Sequence, residues 1–201
     1  SGICGVAAVS SAGSPVRVQA RVVVLATGGI GALYTRTTNP LDACGDGLAM
    51  ALAAGARCDS LAAVQFHPTA LDVDTRPLPL ISEALRGAGA RLIDAAGKYI
   101  MHGVHPLGDL APRDVVASVV YAEQLAGRRV WLDATGLQAT DVAHSFPTAY
   151  RHCREHGIDP DREPIGVTCA AHYHMGGISV DLDGRTSLPR LWAVGEVACT
   201  G

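Results

Sequence analysis

Two short apolar runs, one near each end of the chain, constrain the fold more than any other feature. Residues 21–26 form a run rich in β-branched side chains that stops at Thr27-Gly28-Gly29-Ile30-Gly31, and residues 191–194 form a second that stops at Gly195-Glu196. A continuous apolar run of this length reads as a buried strand. Glycines directly after such a strand let a backbone come close to a ligand, or simply make a tight turn. The stretch between the runs, roughly 60 to 174, is richer in loops and holds most of the charge. That pattern implies an α/β nucleotide-binding domain interrupted by an α+β insertion. The expected boundaries are 1–59 and 175–201 for the interrupted domain and 60–174 for the insertion.

Composition agrees with closely packed sheets and helices. Of the 201 residues, 48% are hydrophobic, mostly Ala and Val, and 4% are aromatic, so small side chains must fill the core. The net charge of −3 gives no basic surface for nucleic acid. No apolar run reaches the roughly 18–20 residues of a membrane span, and no membrane span is expected. The six cysteines are widely spaced without a CxxC, which points to reduced thiols and a cytoplasmic setting.

Residues 3–9 and Val16–Ala20 flank a hairpin turn at 10–15. Asp42–Ala56 reads as a helix. Leu61–Thr69 reads as a strand running into a bend at His67-Pro68. Leu80–Arg86 starts a helix or tight turn, and Asp94-Ala95-Ala96-Gly97 closes a hairpin. Pro112 opens a helix over Arg113–Leu125. Val130–Asp133 is a short strand, Thr140–Gly157 is mostly helical with a break at Pro147, and His172–Gly177 forms a second histidine-rich bend.

Three phrases in the insertion carry chemistry: Gln65-Phe66-His67-Pro68-Thr69, Ser82-Glu83-Ala84-Leu85-Arg86-Gly87 and Leu110-Ala111-Pro112-Arg113-Asp114. A planar guanidinium holds a carboxylate through two parallel hydrogen bonds, so arginines and a histidine together suit a small dicarboxylate. The hydroxyl of Ser82 or Thr69 can bond a remaining oxygen. Glu83 and Arg86, three apart, make either a plain helical ion pair or a proton relay. Arg113 at a helix start opposes the helix dipole, so an anion must compensate: Asp114 or a bound carboxylate. Asp46 near a helix start either favours the dipole or accepts a ligand hydrogen bond. His172 and His174, with Cys169, His102 and His105, lack the tight pairing of zinc ligands, and no metal is expected.

Taken together and in order, the phrases resemble the flavoprotein family that contains L-aspartate oxidase and the flavin subunits of succinate dehydrogenase and fumarate reductase. Those that match are Ala26-Thr27-Gly28-Gly29, Thr38-Asn39-Pro40, Gly45-Asp46-Gly47, Gln65 to Thr69, Glu83 to Gly87, Ala111 to Asp114, His172-Tyr173 with Met175-Gly176-Gly177, and Gly195-Glu196. Glu83-Ala84-Leu85-Arg86-Gly87 and Leu110 to Asp114 are worded as in the aspartate-oxidising branch. The resemblance implies a Rossmann-like FAD-binding domain interrupted by a capping, substrate-lid domain, with FAD as cofactor. It places Ala26, Thr27, Gly28, Gly29, Asp46 and Glu196 at the cofactor. It places His67, Ser82 and His172 at the substrate carboxylates, Arg113 as the proton-transferring group, and Glu83 with Arg86 as its relay.

The implied reaction is oxidation of L-aspartate to iminoaspartate, with hydride to flavin N5 and electrons passed to oxygen or fumarate, feeding quinolinate and NAD synthesis. The alternatives are a fumarate reductase or succinate dehydrogenase flavoprotein subunit acting on fumarate or succinate, and a non-catalytic dicarboxylate-binding fragment. The GxGxxG fingerprint is absent, and Gly45-x-Gly47-x-x-Met50 imitates it without a strand before it. The chain is therefore expected to need the remainder of a longer flavoenzyme and to be inactive alone.

Overall fold

The computed structural model describes residues 2–137 and 142–201. In chain order the strands and helices are β1 (Gly5–Val9), β2 (Pro15–Gln19), β3 (Val23–Leu25), α1 (Asp46–Ala53), β4 (Cys58–Asp59), β5 (Val64–Leu71), α2 (Ala84–Gly87), β6 (Arg91–Ile93), α3 (Arg113–Leu125), β7 (Val130–Asp133), α4 (Val142–Ser145), α5 (Pro147–Glu155), β8 (Ile165–His174), β9 (Gly177–Ser179), β10 (Leu191–Ala193) and β11 (Ala198–Cys199). They divide into two compact units. Unit 1 holds residues 1–33, 42–64 and 173–201, and unit 2 holds residues 34–41 and 65–172.

In unit 1 the two terminal apolar runs meet. β3 pairs in parallel with β10, Val23 opposite Leu191 and Leu25 opposite Ala193. The three-stranded sheet β11-β9-β4 and helix α1 complete the unit around a core of Val23, Leu48, Ala51, Ile178, Leu191 and Val197. β3 is shorter than the expected 21–26 and only half covered: Val23 is buried but Val24 is 56% exposed, because a two-stranded ribbon shields one face. Helix α1 is also shorter than 42–56. Gly45 sits before it at φ 82°, a left-handed conformation that a glycine adopts without strain, and the helix starts only after that turn. The β1–β2 hairpin pairs in the expected register, with Val9 opposite Pro15.

Unit 2 is a four-stranded sheet in the order β5-β8-β7-β6. Helix α3 contributes Val116, Ala117 and Val120 to the core that contains Leu92, Leu132, Ile165 and Val167. Those three are spaced one and four apart, one face of a helix. α3 and β7 span the expected residues. In the 140–157 stretch, residues 140 and 141 lie outside the described residues, and the remainder forms α4 and α5 with the break before Pro147. Two expected bends are strand instead. His67 and Pro68 lie inside β5, an edge strand of its sheet, where a missing proline N–H breaks no ladder bond. His172 lies inside β8, and the chain leaves that strand only after His174. All six cysteines are free thiols. Among the described residues, no helix is long and apolar enough to cross a membrane.

Candidate active site

Period-two alternation puts Gln65, His67 and Thr69 on one face of β5, and this face begins the polar cluster of unit 2. His67 is 1% exposed. Its Nδ1 accepts the backbone N–H of Thr69 at 3.2 Å, and the Thr69 hydroxyl donates to the Ile81 carbonyl at 2.8 Å. A backbone N–H can only donate, so His67 Nδ1 is an acceptor and the ring proton sits on Nε2. Burial pushes the His67 pKa down to about 3, the charges of His172, Arg113 and Arg86 push the same way, and Glu83 opposes them. His67 is therefore neutral at pH 7. His172, on β8, meets it edge to face with ring centroids 5.1 Å apart.

Arg113 stands at the first residue of α3. Its Nε and Nη2 donate to the two Glu83 oxygens at 2.9 and 2.7 Å, and Nη1 donates to Gln65 Oε1 at 2.8 Å. The compensating anion is thus Glu83, with both carboxylate oxygens, rather than the exposed Asp114. This fork holds the Glu83 carboxyl down at about 2 and raises Arg113, so both are charged at neutral pH. Arg86 is 4% exposed and stands 3.8 Å from Glu83 Oε2, looser than the Arg113 fork. Its Nη1 donates to the Asp109 carbonyl, while its buried Nε has no hydrogen-bond partner. Burial lowers the Arg86 pKa against the opposing pull of Glu83 and Asp109. Ser82 is exposed, and its hydroxyl accepts the Ala84 N–H at 3.2 Å, which starts α2.

In unit 1 the expected cofactor residues gather around close backbone approaches. A Cβ built on Gly29 would lie 2.3 Å from Glu196 Oε1, and one on Gly47 would lie 1.9 Å from Thr27 Oγ1. Glu196 is held there by the His174 N–H, which donates to Oε1 at 2.7 Å, while His174 itself is buried with Nε2 3.2 Å from the Leu61 carbonyl. Gly28 takes φ 73°, beside the exposed Ala26 and Thr27. Asp46 is exposed in the first turn of α1. Bare backbone at the end of a parallel strand, with a fixed carboxylate beside it, fits the sugar and phosphate parts of a dinucleotide.

Sequence reasoning left several contributors without a role. Gln65 takes the third donor of Arg113, Thr38 bonds His172 and Asp109 braces Arg86. Position two before His67 on a strand was the available signal for Gln65. Thr38 was marked only by the Thr38-Asn39-Pro40 phrase, which gave it no role, and nothing local marks Asp109. Gly176 and Gly177 have a packing reason: Cβ atoms there would lie 2.1 Å from the Ser60 carbonyl and 2.4 Å from the Val197 carbonyl. A cavity of about 660 Å³ in unit 2 is lined by Phe66, on the other face of β5, with Tyr34 and Tyr121. Its arginines Arg36, Arg128 and Arg129 are matched to Asp72, Glu123 and Asp72, so it is not the polar cluster described above. Among the described residues, no three His, Cys, Asp or Glu side chains gather to hold a metal ion.

A parallel strand pair ending in glycine turns within a mixed α/β core is the build of dinucleotide-binding α/β proteins. The chain belongs to the FAD binding domain family, whose model matches residues 1–201, and FAD is its cofactor. It is 51% identical over 189 residues to the L-aspartate oxidase of Caulobacter vibrioides, covering 94% of this chain and 37% of that one. It is 55% identical over 181 residues to the L-aspartate oxidase of Mesorhizobium japonicum, covering 90% and 35%. Among solved structures, a variant of E. coli quinol fumarate reductase superposes with a TM-score of 0.82 at 33% identity, covering 94% of this chain and 35% of that one. The chain spans between 33% and 38% of the length of the curated relatives it matches.

Proposed function

We propose that this chain is the flavin-binding and substrate-gripping portion of an FAD-dependent L-aspartate oxidase. In this reading residues 60–174 are the capping, substrate-lid domain set between FAD-binding segments 1–59 and 175–201. The observation that supports it most is the cluster in unit 2, where two imidazoles 5.1 Å apart share their surroundings with the Arg113–Glu83 fork. Imidazole N–H groups and a guanidinium are the donors a four-carbon diacid requires. Identities of 51% and 55% to L-aspartate oxidases favour aspartate over succinate as the diacid.

Oxidation of L-aspartate removes a hydride, with its electron pair, from Cα and a proton from the substrate, leaving iminoaspartate. FAD, when bound, would supply the two-electron acceptor for that hydride and the onward route of electrons to oxygen or fumarate. Asp46 and Glu196 would hold the cofactor, Glu196 through its ribityl hydroxyls, and Gly28 and Gly29 would keep its bed free of side chains beside Ala26 and Thr27. His67, His172 and Ser82 orient the substrate carboxylates. Thr69 works one step back, because its hydroxyl proton goes to Ile81 and its N–H holds the His67 ring.

Arg113 moves the proton. A guanidinium is a weak acid in water, and the Glu83 fork makes it weaker still. To accept a substrate proton, Arg113 must first pass one to Glu83, with Arg86 behind it. That transfer requires a site from which water is excluded, where the charged pair loses its solvation advantage. The iminoaspartate formed would feed quinolinate and NAD synthesis, and six free thiols accord with a cytoplasmic setting.

The test is turnover by the full-length enzyme with L-aspartate and with succinate. Iminoaspartate formation with little succinate oxidation is the expected result. Turnover of succinate without aspartate would make it a dehydrogenase flavin subunit. A flavin-loaded protein inert to both would leave only a dicarboxylate-binding role.

A further inference from the structure

The segment 34–41 is flanked in sequence by unit 1 on both sides, yet it belongs to unit 2. Its contacts there centre on His172. Thr37 bridges Ala171 in parallel, the Thr38 N–H donates to the Ala171 carbonyl at 3.0 Å, and the Asn39 amide donates to the His172 carbonyl at 2.9 Å. The backbone of Ala171 and His172 is thus fixed from one side by three successive residues. The ring is fixed by the middle one, because Thr38 Oγ1 stands 2.8 Å from His172 Nδ1. The same hydroxyl lies 3.5 Å from the Ala171 carbonyl, so the ring nitrogen is its closer partner.

We propose that Thr38 is a positioning residue for substrate binding, which fixes the ring of His172 through Nδ1. The proposal rests on the dicarboxylate reading of unit 2 and adds a symmetry to it. His67 is held in a similar way, by the Thr69 N–H on its Nδ1. Two imidazoles 5.1 Å apart, each fixed at Nδ1 by a threonine, are then oriented for substrate carboxylate oxygens.

The experiment compares Thr38→Val and Thr38→Ser in the full-length enzyme, reading KM and kcat for L-aspartate, FAD content, and malonate affinity by calorimetry. Valine keeps the shape and removes the hydroxyl, and serine keeps the hydroxyl. Thr38→Val is expected to raise the KM for L-aspartate and the malonate Kd about tenfold, with kcat within about twofold and full FAD content. Thr38→Ser is expected to restore both constants to within about twofold. Wild-type affinity in Thr38→Val overturns the proposal. So does an equal loss in both variants, or a fall in kcat and FAD content without a change in affinity. If the wild-type enzyme binds malonate but does not oxidise L-aspartate, the oxidase reading fails, while the malonate arm still decides the role of Thr38.

Discussion

In unit 1 the functional stretches run where a side chain will not fit. Methyl groups on Gly29, Gly47, Gly176 or Gly177 would lie between 1.9 and 2.4 Å from a neighbouring oxygen. In unit 2 the corresponding work falls to side chains: Arg113 uses three nitrogens on Glu83 and Gln65, and His67 and His172 are each fixed through Nδ1. The difference follows what each unit would hold. A dinucleotide is long and rich in hydroxyls and phosphates, so close, bare backbone serves it well. A small diacid offers two charged ends at a fixed distance, and only directed donors read that distance.

Four substitutions or conditions sharpen or break this contrast. The largest effect is expected from Gly176→Ala, whose Cβ would meet the Ser60 main chain, which has little room to move. A stability loss of about 3 kcal/mol or more is expected, read by chemical denaturation. A loss under about 1 kcal/mol would show that unit 1 does not depend on that approach. Next comes Arg113→Lys in the full-length enzyme. It keeps the charge but loses the fork, so kcat should fall on the order of 100-fold with a small change in diacid binding. Equal losses in kcat and binding would reduce Arg113 to a binding residue.

Acid should then weaken unit 2 before unit 1. His67 has its folded pKa depressed from 6.5 to about 3, so the unfolded chain takes up the proton first. Stability contributed by this group is complete above about 6.5, falls as pH drops towards 3 and is level below that. Glu83, depressed from 4.5 to about 2, adds a second loss between those values. His67→Gln should flatten the upper window in a plot of denaturation midpoint against pH, and an unchanged slope there would mean His67 is already charged. The smallest effect is expected at Arg128, an exposed partner of Glu123. Arg128→Ala should leave the melting temperature and turnover unaltered, since exposed pairs contribute little. A clear change in turnover would mean that the cavity beside it takes part in function.

Much of unit 2's framework was legible from local signals. Pro112 marked the start of α3, and the short apolar run at 130–132 marked β7. The chemistry was legible as residue types: His67, Glu83, Arg86, Arg113 and His172 all fall in unit 2 as expected of the insertion. What misled local reading was proline and glycine beside a histidine. His67-Pro68 and His172 read as bends but are strand, because an edge position tolerates Pro68 and because segment 34–41 bonds the far end of β8 at Ala171 and His172.

The residue order of this protein was enough to determine its strand-and-turn punctuation, its membership of a flavin-binding family and the ionisable groups from which a diacid site can be made. Only the tertiary structure decided which of those groups pair. Glu83 lies three residues from Arg86, yet its two oxygens go to Arg113, thirty positions away. Thr38 reaches His172 across 134 positions. Hydrogen bonding depends on distances of about 3 Å, and folding sets those distances with no regard to separation along the chain.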